Sequence, residues 1–146
     1  MKKEDFFART MHTPDDPARA ELRDALRSLS KALIPLHRAL IEAARADYTA
    51  MFAPISGPHH LLRLINDDPF FAWLKPMTSL IVDIDEMART DFAPEDAKAI
   101  AARVEQLFGT SADAAFTERY LPVLQRDIDV AAGHAAVRKQ LARLAK

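Results

Sequence analysis

Several features that would point to a function are missing from this chain of 146 residues. It has no cysteine, which excludes disulfides, thiolate metal ligands and a thiol nucleophile. Its three glycines argue for helix and against a turn-rich β fold. Its formal net charge of −1 gives no overall attraction to nucleic acid or to an anionic membrane. We therefore predict neither a nucleic-acid partner nor a membrane partner.

Long apolar runs are missing as well. No stretch approaches the roughly 18 consecutive apolar residues of a membrane span. Acidic residues stand at positions 4 and 5, where a secretory signal needs an apolar core. These observations predict a cytoplasmic protein with a single domain over residues 1–146. Residues 1–12 form an N-terminal arm whose apolar content is Phe6, Phe7 and Met11.

The chain instead contains a succession of amphipathic helical patterns. The first runs from about Pro17 to Phe52, and the second and third begin at Pro69 and Pro94. A last helix follows a capping sequence at residues 110–113 and continues to the C terminus. Short connections make successive helices antiparallel neighbours, so we predict an all-α fold, an irregular up-down-up-down four-helix bundle. The apolar seam of the first helix is Leu22, Leu26, Leu29, Leu33, Leu36, Leu40 and Ala43.

Three prolines, Pro35, Pro76 and Pro122, interrupt these helical patterns. An interior proline removes a backbone N–H and crowds the preceding turn, which costs about 3 kcal/mol and kinks the helix. We therefore predict proline-kinked helices, with Pro35 bending one continuous helix rather than separating two. Because Pro35 and Pro76 fall at similar heights, their kinks predict a pocket between the first two helices.

Polar, aromatic and methionine side chains on or beside the apolar seams are the candidates for a ligand-binding site. Asp127 and His134 are seven residues apart and share a helix face, where His37 can join them if the first and last helices are neighbours. The candidate residues are His37, Trp73, Met77, Asp83, Asp127 and His134. Two structural interpretations are the alternatives to a binding site. The aromatic and methionine side chains can be ordinary core, and a polar side chain can hydrogen-bond to a backbone carbonyl that a proline leaves without its helical partner.

No pattern typical of a metal site in a helical bundle is present. Glu-x-x-His, His-x-x-x-Glu and His-x-x-x-His pairs are all missing, and so are the signatures of a nucleophile elbow or catalytic triad. We therefore predict no metal, no cofactor and no catalytic residue. A metal-dependent enzyme built on His37, Asp127 and His134 is the least favoured alternative.

Three segments of the chain resemble parts of uncharacterised bacterial all-helical proteins. They are Leu36–Ile41, Asp68–Asp85 and Ala132–Val137. The resemblance extends over most of the chain from about Leu22. It implies a small cytoplasmic helical domain and brings no activity, cofactor or catalytic residue.

The leading functional hypothesis is a non-enzymatic helical bundle that acts by self-association, as a homodimer, or by binding a protein partner. Its basis is the missing catalytic signature together with a wide apolar face on the second helix and the Phe6-Phe7 arm. Long helices with wide apolar faces often complete their cores by dimerising. The alternative is a bundle that binds a small molecule in the pocket between the kinked helices.

Overall fold

A computed structural model describes residues 15–109 and 114–144. Over these residues the chain is helical and has no strand, so the all-α class is confirmed. The α-helices are α1 (Pro17–Met51), α2 (Pro58–Asp67), α3 (Lys75–Arg89), α4 (Pro94–Phe108), α5 (Ala114–Arg126) and α6 (Ile128–Leu144). A 3₁₀ helix, Pro69–Leu74, precedes α3. The arm at residues 1–12 and the capping sequence at residues 110–113 lie outside the described residues.

The longest helix, α1, carries most of the core. Its N-cap is Asp16, whose carboxylate accepts a hydrogen bond of 2.8 Å from the N–H of Arg19. The helix continues through Pro35, so the prediction of one helix across this proline is confirmed. Pro35 lies on the exposed side of the helix. The leucines at positions 26, 29, 33, 36 and 40 are fully buried.

The helix predicted to begin at Pro69 is wrong in its first turns. Residues Pro69–Leu74 are 3₁₀ helix, which starts where the carboxylate of Asp68 accepts a hydrogen bond of 2.8 Å from the N–H of Phe70. Pro76 lies in the first turn of α3, where a missing N–H breaks no helical hydrogen bond. The kink predicted at Pro76 is therefore also wrong, because the proline begins an α-helix instead of interrupting one.

The last helix, predicted to be continuous, is two helices. It breaks at Asp127, between α5 and α6. The Asp127 carboxylate accepts hydrogen bonds from the N–H groups of Asp129 and Val130, at 2.9 and 3.1 Å, as the N-cap of α6. Pro122 lies inside α5, upstream of the break.

The helices pack around one apolar core. Helix α1 lies against α6 on one side and α3 on the other, while α4 contacts both α3 and α6. Helix α5 packs on α6, and α2 packs on the 3₁₀ helix at one end of the molecule. Helices α1 and α6 approach each other closely at Gly133, where an added Cβ would lie 3.1 Å from Cβ of Leu36. None of the described helices combines the length and apolar character needed to cross a membrane.

Candidate functional site

The first predicted site residue, His37, connects α1 to α3. Its Nε2 lies 2.9 Å from the Thr78 hydroxyl oxygen, and that hydroxyl donates to the carbonyl of Leu74 at 3.2 Å. Because the hydroxyl proton is used there, Nε2 of His37 is the donor to Thr78. Burial lowers the pKa of His37. The imidazole is therefore neutral near pH 7 and ties α1 to the first turn of α3.

His134, on α6, has different partners. Its Nδ1 lies 2.7 Å from the hydroxyl of Tyr120, and its ring meets Phe108 edge-to-face at a centroid distance of 5.4 Å. Burial, and next the positive charge of Arg138, lowers the pKa of His134. Burial raises the pKa of Tyr120. Both groups are therefore neutral near pH 7, and their hydrogen bond joins α5 to α6.

Trp73 and Met77 belong to the core of the protein. Trp73 is 8% exposed and Met77 is fully buried. The Trp73 ring packs on Phe116 at 5.9 Å, and Phe116 stacks on Tyr120 at 5.0 Å. These side chains fill space between helices, which is the ordinary-core interpretation that the sequence left open.

Asp83 and Asp127 lie at two separate grooves. The Asp83 carboxylate on α3 pairs with Arg103 of α4 at 2.9 Å and lines a groove of about 430 Å³ between those helices. Asp127, besides capping α6, lies at a groove of about 550 Å³ between α1 and α6. Each carboxylate therefore already has a structural partner.

The structure does not bring the predicted polar residues together as one centre. His37 bonds to α3, His134 bonds to α5, and Asp127 caps its own helix. Over residues 15–109 and 114–144, no group of three or more His, Asp or Glu side chains could hold a metal ion. The geometry therefore gives no support to a metal-dependent enzyme built on these three residues.

An exposed, uncharged surface on α6 is the feature that the sequence analysis did not single out. We call it the α6 face. Its members are Ile128, Ala131, Ala132, Ala135 and Ala136, all of them exposed. Ile128 is 84% exposed, and no charged residue occurs between Asp129 and Arg138. The signal was available in the sequence, because a solvent-facing helix normally carries charges over a stretch of this length.

The α6 face continues into the groove between α1 and α6. Pro35 and Ala39 line the groove on the α1 side, and Ala132, Gly133 and Ala136 line it on the α6 side. Charges of both signs surround it, with Arg38 and Glu42 on α1 and Asp127 and Asp129 at the start of α6. At the other end of the face stand Arg138, which pairs with Glu105 of α4 at 2.9 Å, and Lys139.

Arg23 is a buried charge that the sequence analysis missed. It is 5% exposed and forms a two-pronged pair with Asp15, at 2.7 and 3.1 Å. It also donates to the carbonyls of Ala88 and Thr90, at 2.7 and 2.8 Å. An arginine at the edge of an apolar seam gives no sign in the sequence that it will meet the end of another helix.

The predicted site residues thus have structural partners within the described part of the chain. The neutral histidines are engaged in bonds between helices, and the aromatic cluster is core. Two accessible features are the α6 face and the groove between α3 and α4. No protein-family model matches this chain, and neither does any curated protein or solved structure.

Proposed function

We propose that the protein is a non-enzymatic helical module that acts by self-association, and that two copies pair through the α6 face. The observation that carries this proposal is the α6 face, the exposed side of residues 128–136, a stretch in which Asp129 is the single charged residue. A helix that stays in water normally presents charges on its outer side. An exposed apolar patch is more typical of a protein interface.

The side chains of the α6 face suit close contact between helices. Its alanines let two helix axes approach to the short end of the usual range of about 8–10 Å. Ile128, at 84% exposure, is the large apolar group, and covering it removes most of its surface from water. Burial of such a side chain contributes about 1.5–3 kcal/mol, and a two-fold dimer gains it twice.

The charges at the ends of the face favour an antiparallel pair. Asp129 and Lys139 lie five residues to either side of His134. When two copies of α6 cross antiparallel about that level, Asp129 of one copy faces Lys139 of the other. Ala132 then faces Ala136 at the centre of the contact. This complementarity favours a second copy of the chain as the partner and fixes the direction of pairing.

The fold that presents this face is proposed to be a four-helix bundle with additions. The four helices of this bundle are, in chain order, α1, α3, α4 and α6, with α2 and α5 between them. Helix α1 contacts α3 and α6, and α4 contacts the same two helices, which supports a closed ring of four. In this arrangement they run up, down, up and down. Helices α2 and α5 and the 3₁₀ helix are additions, and α6 keeps one side outward.

Binding of a small molecule has weaker support from the predicted site residues. Trp73 and Met77 are buried in the core and offer no accessible surface of useful size. Pro76 begins α3, so two kinked helices do not face each other as the pocket hypothesis requires. Self-association is therefore the function that the geometry supports best.

Sedimentation velocity with the variant Ala132→Glu tests the proposal. The wild-type protein is expected to dimerise at micromolar concentration. A glutamate at the centre of the α6 face places a charge in an apolar contact, so it should raise the dissociation constant of the dimer at least about tenfold. The matched control is Ala102→Glu, an exposed alanine on α4. A wild-type protein that stays monomeric at high micromolar concentration, or equal effects of both variants, refutes the proposal.

A charge exchange tests the antiparallel direction. Asp129→Lys and Lys139→Asp should each weaken the dimer, because each places like charges opposite one another. The double variant restores opposite charges and should recover most of the wild-type affinity. If the double variant is weaker than either single variant, α6 does not pair in this direction.

A further inference from the structure

The groove between α3 and α4 has an apolar floor and acidic walls. Met87, Phe92 and Ile100 supply the floor, and Phe92 and Ile100 are only 6% and 3% exposed. The acidic residues that line it are Asp83, Glu86, Asp91 and Asp96, and the basic one is Arg103. A ligand that matches this groove is partly apolar and carries positive charge.

Asp83 and Asp96 are held in defined positions at the groove. Asp83 pairs with Arg103 at 2.9 Å, and the Asp96 carboxylate accepts a hydrogen bond of 2.9 Å from the N–H of Ala93. Asp83 balances Arg103, and the carboxylates of Glu86 and Asp96 give the groove a negative potential. Glu86 is exposed along its wall.

The chain enters the described structure at the rim of this groove. Asp15 is the first described residue, and Arg23 holds its carboxylate at 2.7 and 3.1 Å. The same guanidinium donates to the carbonyl of Thr90 at 2.8 Å and lies 4.9 Å from the ring centre of Phe92. Because Thr90 and Phe92 both line the groove, the chain that precedes Asp15 begins beside it.

We propose that residues 1–14, which lie outside the described residues, bind in the groove between α3 and α4 of their own chain. Their apolar residues are Phe6, Phe7 and Met11, and their charged residues are Lys2, Lys3 and Arg9 against Glu4 and Asp5. The segment is therefore aromatic and carries a net charge of +1 from its lysine, arginine, aspartate and glutamate side chains. Both properties complement the floor and the walls of the groove.

The length of the segment also fits. Phe7 lies eight residues before Asp15, and eight residues reach about 26 Å when fully extended. The 15 residues of α4 make a helix about 22 Å long. A segment anchored at Asp15 can therefore place Phe6 and Phe7 anywhere along the groove. Because the segment is tethered at the rim, its docking within one chain is independent of protein concentration.

Cysteine reactivity in the full-length chain tests this proposal. The natural chain has no cysteine, so Ala99→Cys places a unique thiol among the exposed residues that line the groove. The rate of its reaction with a disulfide reagent is compared with and without the changes Phe6→Ser and Phe7→Ser. We expect the arm changes to accelerate the reaction about tenfold or more, the factor for about 1.4 kcal/mol of lost docking free energy. The control thiol, Ala46→Cys on exposed α1 surface, should show no acceleration.

A second pair of variants examines the charge match. Glu86→Lys reverses a charge on the groove wall and should accelerate the reaction of the Ala99→Cys thiol with the disulfide reagent. The control is Glu95→Lys, which reverses an exposed charge on α4 outside the groove lining and should not accelerate that reaction. Equal reaction rates in the wild-type arm and the serine arm overturn the proposal. Protection that increases with protein concentration also overturns it, because the arm of another copy then fills the groove. The α6 face is not altered in these variants, so failure here leaves the self-association test unaffected.

Discussion

Replacing Arg23 by alanine should destabilise the protein more than any surface change on the same helix. The Arg23 and Asp15 side chains are 6% and 9% exposed, so their ion pair is largely removed from water. The guanidinium also satisfies the carbonyls of Ala88 and Thr90 at the C-terminal end of α3. Arg23→Ala removes the guanidinium from the buried Asp15 carboxylate and from both of these carbonyl groups at the same time.

The magnitude follows from the burial of the pair. Removal of one member of a buried ion pair costs about 3–5 kcal/mol, because the other charge stays behind without compensation. The four hydrogen bonds, at roughly 1.5–3 kcal/mol each for charged groups, sum to more than this. The carbonyl groups gain water when the guanidinium leaves, so the smaller figure is the better expectation. At about 3 °C per kcal/mol for a chain of this size, Tm should fall by about 9–15 °C.

Thermal and urea unfolding, followed by circular dichroism, measure this effect. Arg27→Ala is the matched control, an exposed arginine one turn further along α1, with an expected change within about 0.5 kcal/mol. Arg23→Lys keeps the charge without the planar fork and should lose an intermediate amount. A double-mutant cycle with Asp15→Ala isolates the pair term. If Arg23→Ala melts within about 2 °C of Arg27→Ala, the assignment of a stabilising role to Arg23 is wrong.

Three further perturbations have defined outcomes. Gly133→Val should cost about 1–3 kcal/mol in urea unfolding, because its Cβ would lie 3.1 Å from Cβ of Leu36 and 3.2 Å from Cα of Leu36. Burial lowers the pKa of both His37 and His134 from the ordinary value of 6.5. Below about pH 6.5 the unfolded chain therefore binds more protons than the folded protein, and the free energy of unfolding should fall as the pH drops. Replacing either histidine with glutamine should flatten that dependence. Tyr120→Phe, which deletes a buried hydrogen bond of 2.7 Å, should cost about 0.5–1.5 kcal/mol.

Each of these three has a matched control. Ala142→Val places the same side chain on exposed α6 surface and should leave stability within about 1 kcal/mol, the cost of a β-branched residue in a helix. His59→Gln, at an exposed histidine of α2, is the control for the two histidine variants. Tyr48→Phe removes a hydroxyl from a partly exposed ring. If a control variant destabilises the protein as much as the variant it is matched to, the cause given for that variant is wrong.

The candidate binding surfaces illustrate how far sequence reasoning reached. The α6 face was readable in principle, because the charge-free stretch Val130–Val137 is visible in the sequence. What the sequence could not supply is which side of α6 the core covers: Val130 and Val137 are buried, while Ala132 and Ala136 are exposed. The acidic groove was beyond reach, because Asp83 and Arg103 lie on different helices and meet only after α3 and α4 pack.

The sequence by itself determined the helical class and the inner face of α1. Few glycines and a leucine at every third or fourth position leave one way to bury the seam from Leu26 to Leu40. The tertiary structure alone decided that the last predicted helix breaks in two. At Asp127 the helix could continue or a new helix could begin, and the two local conformations are close in free energy. The capping hydrogen bonds of Asp127 and the packing of α6 favour a new helix. It also decided the place of Arg23, because a charge can be buried only where another helix brings carbonyl groups to meet it.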